Sequence, residues 1–195
     1  VIESRIMNGN STFCAFIDFK KAYDCINRDK LWFKLRQKGV SGYFYKALRA
    51  IYNQTSNCVR LRQGLSTGWF NVKSGLKQGC LLSPMLFNFY INDLIALIHH
   101  SQEGITLGDT KISILAYADD IVLISDSEPG LQSMLNMLIE WCHKWDLCVS
   151  KEKSEIVHFR PKSSPKSQTE FVIGNEQLKV ASQYKYLGLI LNEHL

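Results

Sequence analysis

Several features of other protein classes are missing from this chain of 195 residues. No apolar run reaches the roughly 18 residues that a membrane-spanning helix needs. The opening segment, VIESRIMNGN, has no apolar core of a signal peptide and does not begin with Met. These absences favour an intracellular protein of the nucleus or cytoplasm with no membrane partner, and a chain that is an excerpt of a longer polyprotein. They leave the oligomeric state undetermined.

Metal-binding cysteine patterns are missing as well. None of the six cysteines forms a CxxC pair, and Cys142, His143 and Cys148 lack the spacing of a zinc site. We expect all six cysteines to be reduced, mostly buried small residues, as in an intracellular protein.

Acidic residues are scarce in the first third of the chain. Between residues 20 and 77, thirteen Lys and Arg residues are accompanied by only Asp24 and Asp29, a balance of +11, whereas the rest of the chain has a balance of −6. This asymmetry indicates a polyanionic partner such as nucleic acid. A set of solvated basic helix faces would give the same pattern, and charge alone does not separate the two.

The order of the predicted elements is typical of an α+β fold with a largely antiparallel sheet covered by helices on one face. Neither an internal repeat nor a dividing linker is present, so we expect one domain over residues 1–195. The predicted strands cover 12–18, 57–63, 68–74, 105–108, 112–125 (a hairpin), 154–160, 171–174 and 184–191. The predicted helices cover 28–38, 42–54, 84–100 and 129–145.

Two of the predicted helices have informative apolar patterns. In 42–54, five residues fall at helical spacing: Phe44, Ala47, Leu48, Ile51 and Tyr52. The helix 84–100 is apolar on nearly every side, which predicts deep burial.

The stretch ILAYADDIVLISD, residues 114–126, places Asp119 and Asp120 side by side within an apolar run. In a continuous strand one of them would enter the core unpaired, at a cost of several kcal/mol. A tight turn avoids this, so the hairpin is predicted to turn at the two aspartates. At about 4 Å and an effective dielectric of about 20, their repulsion is about 4 kcal/mol. A divalent cation such as Mg²⁺ would relieve it.

Asp18 has a similar setting, because it ends the predicted strand FCAFID. Two adjacent strands that each end in an acid can converge their carboxylates on one site. Such a cluster could hold two metal ions about 3.5–4 Å apart, as in-line phosphoryl transfer requires. Turn chemistry or helix capping is the alternative for any one of these acids, and the three together, with the basic first third, favour the metal site.

Five segments resemble the palm motifs of reverse transcriptases, in the family's order. They are FIDFKKAYD, GLKQGCLLSPMLFNFYINDL, YADD, KEKSEIVHF and YKYLGLIL. The second motif is similar to that of LINE-type (non-LTR) retrotransposon enzymes and their group II intron relatives. The resemblance spans about residues 13–191 and implies the palm of an RNA-directed DNA polymerase, with partial fingers and no thumb.

The resemblance implies a two-metal-ion mechanism. Asp18, Asp119 and Asp120 match the acids that bind two Mg²⁺ ions, with Mn²⁺ as an alternative. The ions would activate the primer 3′-hydroxyl and clamp the triphosphate. Lys153 matches a proton donor to the leaving pyrophosphate; the alternative is a solvated surface lysine.

Other positions match nucleotide and primer contacts. The backbone of Phe19 would lie near the triphosphate, and the ring of Tyr23 would exclude a 2′-hydroxyl. Gln78 and Gly79 match the loop that contacts the incoming nucleotide and the template. Tyr186, Leu187 and Gly188 match the hairpin that grips the primer end; a plain edge strand is the alternative. Asp24 is expected to have a structural role.

The implied partners are an RNA template, a DNA primer and deoxynucleoside triphosphates. One alternative function is an inactive remnant that binds RNA through its basic third. Another is a different palm-type enzyme, either an RNA-templated RNA polymerase or a nucleotidyl cyclase. Tyr23 argues against a ribonucleotide substrate, and a GGDEF-like motif is absent from the sequence.

Overall fold

The computed structural model describes residues 1–61, 64 and 66–195. The chain forms two compact units: Val1–Ala22 together with Ile91–Leu195, and Tyr23–Tyr90. Part of the predicted strand 57–63, and Leu65 in the predicted turn that follows it, lie outside the described residues.

The helices are α1 Ile2–Met7, α2 Ala22–Cys25, α3 Arg28–Gln37, α4 Gly42–Asn53, α5 Ser83–His99 and α6 Glu128–Trp145. The strands are β1 Thr12–Ile17, β2 Ser56–Asn57, β3 Phe70–Asn71, β4 Ile105–Leu107, β5 Thr110–Ile112, β6 Ile114–Tyr117, β7 Asp120–Ser125, β8 Glu155–Phe159, β9 Val172–Ile173, β10 Glu176–Gln177, β11 Lys179–Ala181, β12 Gln183–Tyr186 and β13 Leu189–Asn192. The α+β class with a mainly antiparallel sheet is confirmed.

The first unit is built on a five-stranded sheet in the order β11-β8-β1-β7-β6. All pairs are antiparallel except β8 with β11. The central strand β1 is buried at every position, because both faces of the sheet are covered. One face packs against α6. On the other, Phe16 and its neighbours contact Tyr184, Tyr186 and α1.

Helix α6 matches its predicted bounds. The Ser127 hydroxyl caps it by accepting a hydrogen bond from the Gly130 amide at 3.3 Å. Asp146 ends it in the left-handed conformation, with φ of 56°. Its apolar residues at helical spacing are all buried: Leu131, Met134, Leu135, Leu138, Cys142 and Trp145.

In the second unit, a buried arginine joins the segments around α3. The Arg28 guanidinium donates to the backbone carbonyls of Gly75, Tyr52 and Val72 at 2.8–3.0 Å. These bonds fix the ends of α4 and β3 against the start of α3. Sharing the charge among three carbonyl acceptors lets Arg28 be buried without an acidic partner.

The expected deep burial of α5 is wrong, and α4 is buried at few positions. In α4 only Leu48 and Tyr52 are buried, and Phe44 is 63% exposed. Helix α5 is not buried on every side, because Met85 is 58% exposed. Apolar spacing identified both helices, but it does not fix the width of the buried face.

The cysteines are free thiols, as expected, but most are not buried. Cys14 and Cys142 are buried, Cys58 and Cys80 are half-buried, and Cys25 and Cys148 are exposed. The buried pair lies in β1 and α6, whereas the others lie near element ends or in loops. Within the described ranges, no helix has the length and apolar character needed to cross a membrane.

Candidate active site

The aspartate doublet lies where β6 turns into β7. Tyr117 pairs with Asp120, so Ala118 and Asp119 form a two-residue hairpin turn. Ala118 has a positive φ of 53°, a conformation that such tight turns favour. The turn is therefore shifted by one residue from its predicted position at Asp119 and Asp120. It consists of Ala118 and Asp119, and Asp120 is the first residue of β7.

Asp18 lies opposite Asp120 at the same end of the sheet. In the β1–β7 ladder Ile17 pairs with Ile121, and Asp18 and Asp120 occupy the next position on each strand. Burial raises the pKa of the Asp120 carboxyl, and the negative charges of Asp119 and Asp18 raise it further. The structure thus places the three predicted acids close enough for the charges of Asp18 and Asp119 to act on Asp120.

The backbone of Asp18 is held by the loop that precedes β8. Its amide donates to the Ser154 hydroxyl at 3.0 Å, and its carbonyl accepts from the Ser150 amide at 2.7 Å. Phe19 is buried and bridges to Val149. Sequence reasoning missed Ser150 and Ser154. The available signal was their position beside Lys153, where a small polar residue immediately precedes an apolar strand.

Lys153 lies beside the acids. Its Nζ is 3.8 Å from Asp18 Oδ1, and the lysine side chain is 70% exposed. An ion pair so exposed adds little to stability, which leaves the ammonium free to turn toward another anion. Among the described residues, the buried Asp18 Oδ1 has no hydrogen-bond partner.

The predicted primer-grip segment forms the turn between β12 and β13. Leu187 and Gly188 have φ values of 47° and 87°, as in a tight hairpin turn. Tyr186 packs on Phe16, with ring centroids 5.5 Å apart. Burial raises the pKa of Tyr186, and the charge of Asp120 raises it further. The hairpin therefore lies beside the acids.

Tyr184 is a second aromatic of this hairpin that the sequence analysis did not single out as a site residue. Its ring stacks on Phe16 at 4.3 Å between centroids. Burial raises its pKa, as do the charges of Asp18 and Asp120. Tyr184 and Tyr186 are two positions apart in β12, so both rings point to the same face of this strand.

Tyr23, Gln78 and Gly79 belong to the second unit, unlike the acids. The Tyr23 ring stacks on Phe87 at 4.8 Å. Gln78 Nε2 donates a hydrogen bond to Asp24 Oδ1 at 3.0 Å. Gly79 has φ of 82°, with no heavy atom within 4 Å of the Cβ position, so another backbone or a ligand can approach it closely.

The acids have the right donor chemistry for a hard cation. Asp18, Asp119 and Asp120 offer carboxylate oxygens, the ligands that Mg²⁺ prefers. Mutual repulsion at Asp120, and an Asp18 Oδ1 that has an ion pair with Lys153 but no hydrogen bond among the described residues, both fit a further positive charge nearby. However, no three His, Cys, Asp or Glu side chains in the described part of the chain are grouped so that they could hold a metal ion as they stand.

Comparison with known proteins places this arrangement in a family. The protein-family model for reverse transcriptase (RNA-dependent DNA polymerase) matches residues 3–191. A Pol polyprotein from the type-1 retrotransposable element R2 of Nasonia vitripennis is 27% identical over 203 residues, which cover 100% of this chain and 20% of the relative. A probable RNA-directed DNA polymerase from transposon BS of Drosophila melanogaster is 29% identical, over 92% of this chain and 20% of the relative. The chain thus spans about a fifth of the length of these relatives.

Solved structures show the same fold. The telomerase of Candida albicans, in complex with a fragment of telomeric RNA, superposes with a TM-score of 0.63 at 14% identity, over 98% of this chain and 31% of the telomerase chain. The apo telomerase of Candida tropicalis, truncated from its C-terminal domain, gives a TM-score of 0.61 at 14% identity, over 98% of this chain and 38% of the telomerase chain. Together with the family match, these likenesses confirm the resemblance of the palm motifs: the chain belongs to the reverse transcriptase family, with non-LTR retrotransposon enzymes as its relatives.

Proposed function

We propose that this chain is the palm domain of an RNA-directed DNA polymerase of a non-LTR retrotransposon, within a longer polyprotein. It would add deoxynucleotides to a DNA primer 3′-hydroxyl on an RNA template. The observation that carries the proposal is that Asp18 and Asp120 each adjoin the Ile17–Ile121 pair at one end of the sheet, with Asp119 in the neighbouring turn. Family membership and the similarity to the probable RNA-directed DNA polymerase from transposon BS support it.

Asp18, Asp119 and Asp120 would hold the divalent ions that the family uses. We propose two Mg²⁺ ions, with Mn²⁺ as an alternative; when bound, they would lower the pKa of the primer hydroxyl and stabilise charge on the triphosphate. Rigid elements would support the carboxylates in this role. Asp18 follows a strand buried at every position, and its backbone bonds to Ser150 and Ser154 fix where its side chain begins.

Lys153 would supply the proton for the leaving pyrophosphate. Its Nζ already lies near Asp18, on a side chain exposed enough to turn toward a bound phosphate. General-acid catalysis of this kind typically contributes about 10²–10⁴-fold. The backbone of Phe19, held by its bridge to Val149, would border the triphosphate.

The remaining residues would select the nucleotide and hold the primer. Stacking on Phe87 fixes the Tyr23 ring, which would meet a 2′-hydroxyl and so favour deoxynucleotides. Gln78 and Gly79 would contact the incoming nucleotide and the template. Tyr186, Leu187 and Gly188 would grip the primer end.

Primer extension by the full-length parent protein tests the proposal. Asp119→Ala should reduce Mg²⁺-dependent extension on an RNA template by about 100-fold or more. Asp109→Ala is the matched control, because Asp109 is an exposed acid in the β4–β5 turn of the same unit. Undiminished synthesis by Asp119→Ala would contradict the proposed site. The alternative, an inactive RNA-binding remnant, predicts salt-sensitive RNA binding with no incorporation by the unchanged parent.

A further inference from the structure

The surface formed by helices α3 and α4 combines positive charge with exposed aromatic rings. Tyr23–Tyr90 contains eleven Lys and Arg residues and two acids, a formal balance of +9, whereas the other unit has −4. Helix α4 contains Lys46 and Arg49 and no acid. The net positive charge of the protein is therefore concentrated in the smaller unit.

Two cavities open beside Arg49. The first, of about 620 Å³, is lined by Arg28, Arg49 and Lys73 together with the neutral polar side chains of Asn53 and Asn71. The second, of about 570 Å³, is lined by residues of both helices, including Arg36 and Arg49. Both volumes lie in the range of small-ligand sites. Among the described residues that line them, Asp29 is the only acid.

Exposed aromatic residues accompany the cations. Tyr43 is 91% exposed, and Lys46 Nζ lies 5.8 Å from the centre of its ring. Tyr45 lines the second cavity, and the Arg49 guanidinium lies 5.9 Å from its ring. Cations that track phosphates and exposed rings that stack on bases are the two components of single-strand binding sites.

We propose that this α3–α4 surface binds single-stranded RNA, with phosphates near Arg36 and Arg49 and a base on Tyr43. The positive charge is complementary to a nucleic-acid backbone. The open faces of the rings require unpaired bases. The choice of RNA rests on the proposed function, which uses an RNA template.

Fluorescence anisotropy with a labelled single-stranded RNA of about 20 nucleotides tests the surface in the 195-residue chain. Arg49→Glu and Arg36→Glu should each weaken binding by about tenfold, and should lower the salt slope by about one. Lys162→Glu is the matched control, because it makes the same charge change at an exposed position of the other unit; it should change the affinity less than about twofold. Circular dichroism checks that each variant is folded.

Tyr43→Ala separates stacking from charge and leaves the fold intact, because the side chain is almost fully exposed. It should weaken binding of the single strand by about fivefold and leave binding of an RNA duplex unchanged. Arg49→Glu and Arg36→Glu proteins that bind like Lys162→Glu would overturn the proposal. A second result would also overturn the proposal. If sedimentation shows that Arg49→Glu dissociates a dimer while the RNA affinity stays the same, the surface contacts a second copy of the chain. The assay contains neither metal ion nor nucleotide, so its result is independent of whether Asp119 carries catalysis.

Discussion

The ammonium group of Lys153 lies 3.8 Å from a carboxylate oxygen of Asp18. The two residues belong to different motifs, which are more than a hundred positions apart in the chain. The β1–β8 ladder brings them together, because it places the end of β1 beside the loop that precedes β8. The proposed proton donor and one of the proposed metal-binding acids are therefore neighbours in the structure.

Lys153→Ala should lower kcat of the parent polymerase by about 100-fold, with a smaller change in KM, because the ammonium would act on the leaving group rather than in ground-state binding. Steady-state incorporation of one deoxynucleotide on an RNA template measures both constants. Lys151→Ala is a neighbouring control, since Lys151 pairs with Glu176 instead. Equal kcat values for the two variants would remove Lys153 from the mechanism.

Ser154→Ala should lower the free energy of unfolding by about 1–3 kcal/mol. The hydroxyl is fully buried and accepts the hydrogen bond of the Asp18 amide, which would otherwise lack this acceptor. Urea denaturation of the 195-residue chain measures the change. Ser163→Ala, at an exposed position in the loop after β8, is the control, and a loss no larger than that of the control would contradict this role.

Asp120→Asn should raise the melting temperature at neutral pH by about 1–3 °C when no divalent ion is present. Burial and the charges of Asp119 and Asp18 raise the pKa of Asp120 in the folded protein. The folded state therefore holds this proton more strongly than the unfolded state, and stability falls as pH rises through the interval between the two pKa values. The gain from Asn should shrink as the pH is lowered from 7 toward 4. A gain that does not vary with pH would contradict this explanation.

Gly75→Ala should destabilise the protein more than Gly39→Ala. Both glycines have positive φ, 80° and 85°, so both variants carry about 1–2 kcal/mol of backbone strain. At Gly75 an added Cβ would also lie 2.7 Å from the backbone oxygen of Asp24, whereas Gly39 has open space. Thermal denaturation of the two variants measures the difference. Equal melting temperatures would mean that the contact between Gly75 and Asp24 has no energetic weight.

The acid cluster shows how far the sequence predicts this site. The apolar run around Asp119 and Asp120 was enough to predict a hairpin, because an unpaired acid in a buried strand is too costly. Asp18 was identified from its place at the end of the predicted strand FCAFID, and the five motifs then gave the three acids their implied roles. The exact register, with Asp18 opposite Asp120, was not predictable, because pairing between strands a hundred residues apart depends on long-range packing rather than on local pattern.

Other features were beyond local reasoning for similar physical reasons. Helical spacing located α4 but did not show that Phe44 lies exposed, since burial depends on what packs against the helix. Ser154 has an ordinary sequence context, and its bond to Asp18 exists only because two distant segments meet. In the hairpin β9–β10, only β9 was predicted, because its residues are β-branched. The strand β10, Glu176–Gln177, was not predicted, because it is polar and short.

The most direct test asks whether Asp18 and Asp120 carry DNA synthesis. It measures single-turnover incorporation of one deoxynucleotide by the full-length parent on an RNA template. Asp18→Asn preserves the size of the side chain and removes its charge, and Asp109→Asn makes the same change at the β4–β5 turn. We predict that Asp18→Asn slows Mg²⁺-dependent incorporation by about 100-fold or more, whereas Asp109→Asn leaves it unchanged. Equal rates for the two variants would contradict the assignment of the active site.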